Sequence, residues 1–189
     1  MKVQSSIIEN KYLRVRSINI GACLYEVYDK QKKINLILNL GSKKDYSNKN
    51  FYVGATCGRY AGRISNSRFK IKKKTYRLDG NEGRNTLHGG KIGFDRLEWK
   101  IHHHSKDKII YQLLSKNLDQ GFPGDLNSQC IFEIKNKSLF IIYQYKSNKL
   151  THVSLTNHSY WNLNKNKKET IFNHELKICL LYTSPSPRD

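Results

Sequence analysis

The sequence predicts an all-β sandwich, and three features of the 189-residue chain support this prediction. Only three alanines occur, and no window of a dozen residues carries apolar side chains at helical spacing. Segments rich in β-branched and aromatic residues recur at intervals of ~8–12 residues. Glycine, asparagine and aspartate separate these segments, which is typical of sandwiches and barrels built from many short strands.

Apolar and alternating segments place the strands along the chain. The predicted strands cover residues 13–16, 22–28, 34–40, 109–114, 130–134 and 139–145. Two further alternating segments, 68–72 and 74–78, flank a short basic turn and predict a hairpin. The polar run 42–50 between predicted strands is expected to be a loop.

Length and composition indicate one globular domain. Hydrophobic residues make up 38% of the chain and aromatic residues 11%, which is too apolar for a disordered protein. The net charge of +19 comes from 34 basic and 15 acidic residues. Such a charge promotes loose association with polyanions. Because the lysines are spread along the whole chain, we interpret them as a solvated surface and expect no specific nucleic-acid or membrane partner.

Cysteine spacing and the absence of targeting patterns indicate the compartment. The four cysteines form no C-x-x-C motif for zinc or redox chemistry. Three of the four cysteines lie in apolar strand-like segments and are expected to be buried. We find neither a signal-peptide pattern nor an apolar run of the ~20 residues that a membrane span needs. These features predict a cytoplasmic location.

Residues 152–163 carry a neutral polar face. In an extended segment the side chains alternate between two faces. The first face would carry His152, Ser154, Thr156, His158, Tyr160 and Asn162. The second face would carry Val153, Leu155, Asn157, Ser159, Trp161 and Leu163. The second face is mostly apolar and belongs against a core, whereas the first has no lysine, arginine or carboxylate. That pattern favours a cleft for a polyhydroxy ligand, and the alternative is an ordinary polar strand face with a hydrogen-bonded histidine.

Four motifs in a fixed order carry a family resemblance. Residues 54–64 read GATCGRYAGRI, and residues 81–90 read NEGRNTLHGG before a GFD at 93–95 and Trp99. Residues 121–126 read GFPGDL, and residues 156–163 read TNHSYWNL. Together they resemble the aldose 1-epimerases, or galactose mutarotases, over residues 10–180. Gly62 stands where this family often has asparagine, and Trp161 stands where it usually has phenylalanine.

The resemblance implies a galactose-mutarotase-like β-sandwich, also called a supersandwich, and an isomerase of carbohydrate and galactose metabolism. The reaction interconverts the α and β anomers of hexoses such as galactose and glucose by acid–base ring opening, without a metal or cofactor. The resemblance assigns the acid role to His158 and a hydrogen bond near the ring oxygen to His88. It assigns sugar binding to Arg63, His88 and Tyr160.

The resemblance ends near residue 180. We interpret residues 1–180 as the N-terminal part of a single domain, and residues 181–189 as a tail foreign to the family. The family's catalytic base is a glutamate from a later part of the fold, which neither Glu169 nor Glu175 matches. We therefore expect a sandwich that is incomplete at its C-terminus, and impaired catalysis by the chain alone.

Three other functions stay open. A non-catalytic carbohydrate-binding module on the same fold needs the sugar contacts but no base. A hexose-6-phosphate epimerase needs basic residues at the phosphate end of its cleft. A basic nucleic-acid-binding domain needs aromatic residues on a basic face, and the segment around His158 has no lysine or arginine.

Simpler structural roles also stay open for the singled-out residues. Without the family, His88 is interpreted as a turn residue, and Arg59 and Arg63 as surface charges. Histidines 102–104 suggest a metal cluster, but successive side chains of a strand point to opposite faces. We interpret them as an exposed strand end and expect no metal site.

Overall fold

The computed structural model describes residues 2–46 and 52–177. Fourteen strands and three short 3-10 segments make up the regular structure of these residues, without an α-helix. The strands are β1 Ser5–Glu9, β2 Leu13–Ile18, β3 Cys23–Asp29, β4 Ile34–Asn35, β5 Thr56–Cys57, β6 Arg63–Ile64, β7 Arg68–Ile71, β8 Lys74–Arg77, β9 Thr86–Leu87, β10 Lys100–His104, β11 Lys108–Ser115, β12 Leu126–Lys135, β13 Ser138–Ser147 and β14 Thr156–Asn157. The 3-10 segments are Lys43–Tyr46, Ser65–Ser67 and Asp119–Gly121.

Two antiparallel four-stranded sheets form the body of the fold. The first has the order β1-β2-β3-β4 and the second the order β10-β11-β12-β13. Strand β12 pairs with β13 over its full length, from Leu126 opposite Ser147 to Lys135 opposite Ser138. Alternation decides which face is buried: in β11, Ile109, Tyr111 and Leu113 are buried.

The main hydrophobic core lies between the two sheets. Most of its buried side chains come from β1–β3 and from β11–β12 and include Ile8, Val15, Val27, Tyr111 and Phe132. A hydrogen bond of 2.8 Å between the hydroxyls of Ser17 and Tyr111 crosses the same space. The two sheets therefore pack face to face, and the predicted all-β sandwich is confirmed.

Three two-stranded ladders lie outside the main sheets. They are β5–β14, β6–β9 and the hairpin β7–β8. Ladder β5–β14 pairs Thr156 with Cys57, and ladder β6–β9 pairs Arg63 with Leu87. These ladders bring the motif around residue 158 and the motif around residue 88 onto the chain segment 54–64. They are the part of the fold that builds the candidate site.

The alternation predicted for residues 152–163 holds only in part. Val153 and Leu155 pack against the core as expected. Trp161 and Leu163 do not: they are 46% and 52% exposed, whereas Asn162 is buried. Only Thr156–Asn157 forms a ladder here, so the segment is not one continuous strand. Asn162 is drawn inward because its N–H donates to the Leu36 carbonyl and its side-chain amide donates to the Glu169 carbonyl.

The structure also tests the predicted strand 34–40, the burial of the cysteines and the predicted loop 42–50. The predicted strand 34–40 is shorter, since only Ile34–Asn35 forms a ladder and Ile37 adds an isolated bridge. The side chains of Cys23, Cys57 and Cys130 are buried, and Cys179 lies outside the described residues. Part of the predicted loop 42–50 and the whole tail 181–189 lie outside the described residues. In the described ranges, no helix has the length and apolar character to cross a membrane.

Candidate active site

The rings of His88 and His158 meet although 70 residues separate them in the chain. Their centroids lie 5.3 Å apart, with the ring planes almost perpendicular at 86°. The backbone of His158 is held on both sides, because its N–H donates to the Ala55 carbonyl and its carbonyl accepts from the Gly54 N–H. The two histidines singled out by the motifs thus belong to one cluster.

Glycine geometry explains why His88 projects from a tight turn. The His88 backbone has a φ of 50° and Gly89 has a φ of +94°. A Cβ atom on Gly89 would overlap the carbonyl group of Gly58, so this close approach admits only glycine. The turn therefore packs directly against the glycine-arginine segment and fixes the position of the neighbouring imidazole.

Tyr52 is a member of the cluster that sequence reasoning missed. Its ring lies 4.6 Å from the His88 ring and 5.7 Å from the His158 ring, the second contact being stacked. Burial is the main cause that raises the pKa of Tyr52, so its hydroxyl stays protonated at neutral pH. Tyr52 follows a polar run with no strand pattern, so the sequence contained no signal for it.

The hydrogen bonding of His88 defines its protonation state. Its Nδ1 accepts a hydrogen bond of 3.1 Å from the backbone N–H of Gly62. A ring nitrogen that accepts carries no proton, so this imidazole is neutral with its proton on Nε2. Burial lowers the pKa of His88, and the charges of His158 and Arg63 lower it further. His88 is thus a fixed neutral hydrogen-bond donor through Nε2.

Arg63 lies at the edge of the cluster and already has a partner. Its Nε and Nη2 donate to the two carboxylate oxygens of Glu82 at 2.6 and 2.7 Å. The side chain is 60% exposed, and this bidentate pair lowers the pKa of Glu82. Arg63 is paired with Leu87 in ladder β6–β9, so it lies next to His88.

Tyr160 completes the set of residues singled out by the sequence. Its ring centroid lies 5.1 Å from that of His158, and the side chain is exposed. The four predicted site residues therefore lie around one cluster, with His88, His158 and Tyr160 in ring contact and Arg63 at its rim. In the described part of the chain, no carboxylate forms an ion pair with His158.

Arg59 corrects the interpretation of this residue as a surface charge. The residue is only 2% exposed, and its guanidinium packs beside the Phe122 ring. Its Nη1 donates to the carbonyls of Pro123 and Gly124, and its Nη2 to those of Ser115 and Lys116, all at 2.9–3.1 Å. These carbonyl groups turn inward at the two ends of the connection between β11 and β12, and they supply the partners that a buried charge requires. Arg59 therefore ties the GFPG loop to the segment that carries Gly62.

Histidines 102–104 lie on β10, away from this arrangement. All three side chains are exposed, and His104 Nε2 lies 2.8 Å from the Ile7 carbonyl. Over residues 2–46 and 52–177, no three histidine, cysteine, aspartate or glutamate side chains are grouped so that they could hold a metal ion. The cluster around His88 and His158, in contrast, can donate hydrogen bonds and exchange protons, because its two imidazoles lie beside the phenols of Tyr52 and Tyr160.

A protein-family model matches almost the whole chain. Residues 4–188 match the family model described as aldose 1-epimerase. This match extends beyond residue 180, where the motif resemblance ends, into residues that the structure does not describe. The division of the chain at residue 180 stays a prediction.

Curated relatives carry related names. The galactose mutarotase of Sus scrofa is 34% identical over 179 residues, which cover 93% of this chain and 52% of that protein. The aldose 1-epimerase of Escherichia coli K12 is 35% identical over 143 residues, which cover 75% of this chain and 41% of that protein. The chain thus spans about half the length of the curated relatives it matches.

Solved structures show the same fold. A GalM/aldose epimerase homologue from C. elegans superposes with a TM-score of 0.81 at 28% identity, over 86% of this chain and 52% of that one. A galactose 1-epimerase from Lactobacillus acidophilus NCFM superposes with a TM-score of 0.76 at 28% identity, over 86% of this chain and 54% of that one. The galactose-mutarotase-like sandwich expected from the resemblance is confirmed.

Proposed function

The chain belongs to the aldose 1-epimerase family, and on that premise we propose that it provides the acid half of an enzyme that interconverts hexose anomers. The proposed substrates are galactose and glucose. The observation that carries this proposal is the contact between the His88 and His158 rings, 5.3 Å apart and bordered by Tyr52 and Tyr160. Two imidazoles in one partly buried cluster suit proton transfer near neutral pH.

The roles of the two histidines follow from their different surroundings. His88 is neutral and donates only through Nε2, so we assign it a hydrogen bond that orients the ring oxygen of the sugar. His158 protonates that oxygen as the C1–O5 bond breaks. A base removes the proton of the anomeric hydroxyl, the open chain turns about C1–C2, and the reverse steps close the other anomer. Each proton transfer contributes ~10²–10⁴-fold to the rate.

The described residues do not supply a good candidate for the catalytic base. Glu82 is the carboxylate that acts electrostatically on His88, but Arg63 holds both of its oxygens. A carboxylate in such a pair is a weak base. We therefore propose that the base is a glutamate that is not among these 189 residues, and that the 189-residue chain alone turns over slowly.

Polarimetry of freshly dissolved α-galactose tests both parts of the proposal. We expect the 189-residue chain to change the rate of mutarotation little over buffer. In a longer protein of the family that supplies the glutamate, the His158→Ala change in this segment should lower kcat by ~10²–10⁴-fold. His103→Ala, which removes an exposed histidine outside the cluster, serves as the matched control.

Two results would contradict specific parts of the proposal. Strong catalysis by the 189-residue chain that disappears with His158→Ala would support the acid and refute the slow turnover, and Glu82→Gln would then show whether Glu82 is the base. Catalysis that persists in both His158→Ala and His88→Ala would refute the assigned roles.

A cytoplasmic location is part of the same proposal and is tested by cell fractionation.

A further inference from the structure

A pair of arginines faces a cavity at the base of the β7–β8 hairpin, outside the histidine cluster. Arg68 and Arg77 are directly opposite each other in this ladder, so their side chains lie on one face. They line a surface cavity of about 370 Å³ together with Asn66, Ser67 and Leu78. Like charges opposite each other in a ladder repel, so the arrangement is unfavourable unless an anion lies between them.

The distribution of arginine partners argues against a chance accumulation of charge. Arginine accounts for nine of the 34 basic residues, and eight of the nine are in the described ranges. Four of these eight form ion pairs, and a fifth, Arg59, is buried among carbonyls. The three that form no ion pair with a described residue are Arg68, Arg77 and Arg84, and the Arg84 carbonyl accepts from the Ser67 hydroxyl at the cavity.

Hydrogen bonds hold the wall of the cavity in place. Asn66 and Ser67 adopt φ values of 54° and 46°, which turn the chain sharply before Arg68. The Asn66 N–H donates to the Asn85 side chain, and the Ser67 carbonyl accepts from the Leu78 N–H. The two guanidinium groups thus extend from a backbone that is already ordered, which lowers the cost of binding a ligand.

We propose that this cavity binds a phosphate-type anion, either free phosphate or the phosphate group of a monoester. Guanidinium groups donate in a planar fork that matches the oxygens of phosphate, and the two arginines line one cavity from paired strands. The Asn66 amide lines the same cavity and adds a hydrogen-bond donor at one wall, whereas the Ser67 hydroxyl proton is already donated to the Arg84 carbonyl. This site is separate from the proposed sugar chemistry and does not depend on it.

Isothermal titration calorimetry with inorganic phosphate and with methyl phosphate tests the site on the full chain. We expect saturable binding of one anion, weakened at least about tenfold by Arg68→Gln and by Arg77→Gln. Lys73→Gln is the matched control, because it removes the same charge from the exposed tip of the same hairpin. This control should leave the affinity unchanged within about twofold. Stronger binding of one probe than the other identifies the monoester or the free ion as the ligand class.

Three outcomes would overturn the proposal. One is an absence of saturable binding of both anions. Another is an equal loss of affinity in Arg68→Gln, Arg77→Gln and Lys73→Gln, which would mean diffuse attraction by the basic surface. The third is tight binding of an oligonucleotide alone, with an affinity that falls steeply with salt. Circular dichroism of each variant shows whether the fold is retained, and galactose turnover plays no part in the measurement.

Discussion

The imidazole of His88 illustrates how one backbone group can set the chemistry of a side chain. The Gly62 N–H occupies the Nδ1 lone pair, so a proton on that atom would break a hydrogen bond. Burial and the neighbouring charges of His158 and Arg63 act in the same direction and lower the pKa of His88. The residue is therefore neutral at pH 7 and available as a donor through Nε2.

This arrangement predicts an acid-shifted titration. The pKa of His88, measured by NMR, should lie below its ordinary value of 6.5 and should rise in His158→Gln, because a repelling charge is removed. Burial remains in that variant, so the pKa should stay below 6.5. As the pH falls through 6.5 toward the lowered pKa, the unfolded chain binds the proton first, and the stability of the folded state falls.

The matched variant for this titration is His103→Gln, which changes an exposed histidine on β10 and should leave the pKa of His88 unaltered. A pKa of His88 at or above 6.5 in the wild-type chain would contradict the hydrogen-bond assignment. Indifference of His88 to His158→Gln would contradict the electrostatic contact between the two rings.

Individual residues differ in how visible they were in the sequence. His88, His158, Arg63 and Tyr160 stand in recognisable motifs, and the structure brings them to one cluster. Their catalytic and binding roles stay predictions. Tyr52 has no motif of its own, and a charged residue such as Arg59 is expected at the surface unless its partners are known. Those partners are carbonyls of distant loops, which no local pattern reveals.

At the level of elements, β12 and β13 show that the contribution of a side chain to stability depends on which face of the sheet it occupies. The side chain of Phe132 in β12 is fully buried between the sheets, whereas Phe140 in β13 is 44% exposed. The two strands pair along their whole length, so the two residues lie in the same part of the sheet and differ in the face they occupy. The same chemical change at the two sites therefore isolates the effect of burial.

Phe132→Ala should lower the free energy of unfolding by about 3–5 kcal/mol, because it leaves a cavity in the core. Phe140→Ala should lower it by less than about 1 kcal/mol, because water already covers much of that ring. Urea unfolding of both variants followed by circular dichroism measures the difference. Equal losses in the two variants would mean that the two sheets do not enclose the core in solution.

Alternation, more than length, decided which strands were predictable: the four-residue strands β7 and β8 were expected as a hairpin, whereas β1, with five residues, was not. The cores of β2, β3, β11, β12 and β13 show enough alternating or apolar residues to be recognised. The two-residue ladders β5, β6, β9 and β14 have no period, and tertiary contacts alone define them. Trp161 and Leu163 were assigned to a buried face because a continuous strand was assumed, and the break after Asn157 removes that alternation.

At the scale of the whole molecule, positive charge dominates the surface. The chain has 34 basic and 15 acidic residues, so more than half of the basic side chains would stay unpaired even if every carboxylate paired with one of them. Exposed ion pairs each contribute little to stability, whereas repulsion among an excess of like charges destabilises the compact state. Screening should therefore favour the folded chain.

Raising sodium chloride from about 20 to about 200 mM should raise the urea midpoint of unfolding, because the Debye length becomes shorter than most distances between surface lysines. A triple variant, Lys32→Gln, Lys73→Gln and Lys91→Gln, removes three exposed charges and should show a smaller dependence on salt. A midpoint that falls with salt would mean that ion pairs outweigh repulsion. Phosphate is left out of the buffer so that the arginine cavity stays out of the comparison.

The buried guanidinium of Arg59 has a consequence for the cooperativity of local opening. It binds four carbonyl groups at the two ends of the one connection between β11 and β12, and its own backbone leads to Gly62 beside His88. Neither end of this connection can open without breaking bonds to the same side chain. Amide protons in the connection 116–125 and in the 58–62 segment should therefore exchange with solvent with one common opening free energy, as a single cooperative unit behind the histidine cluster.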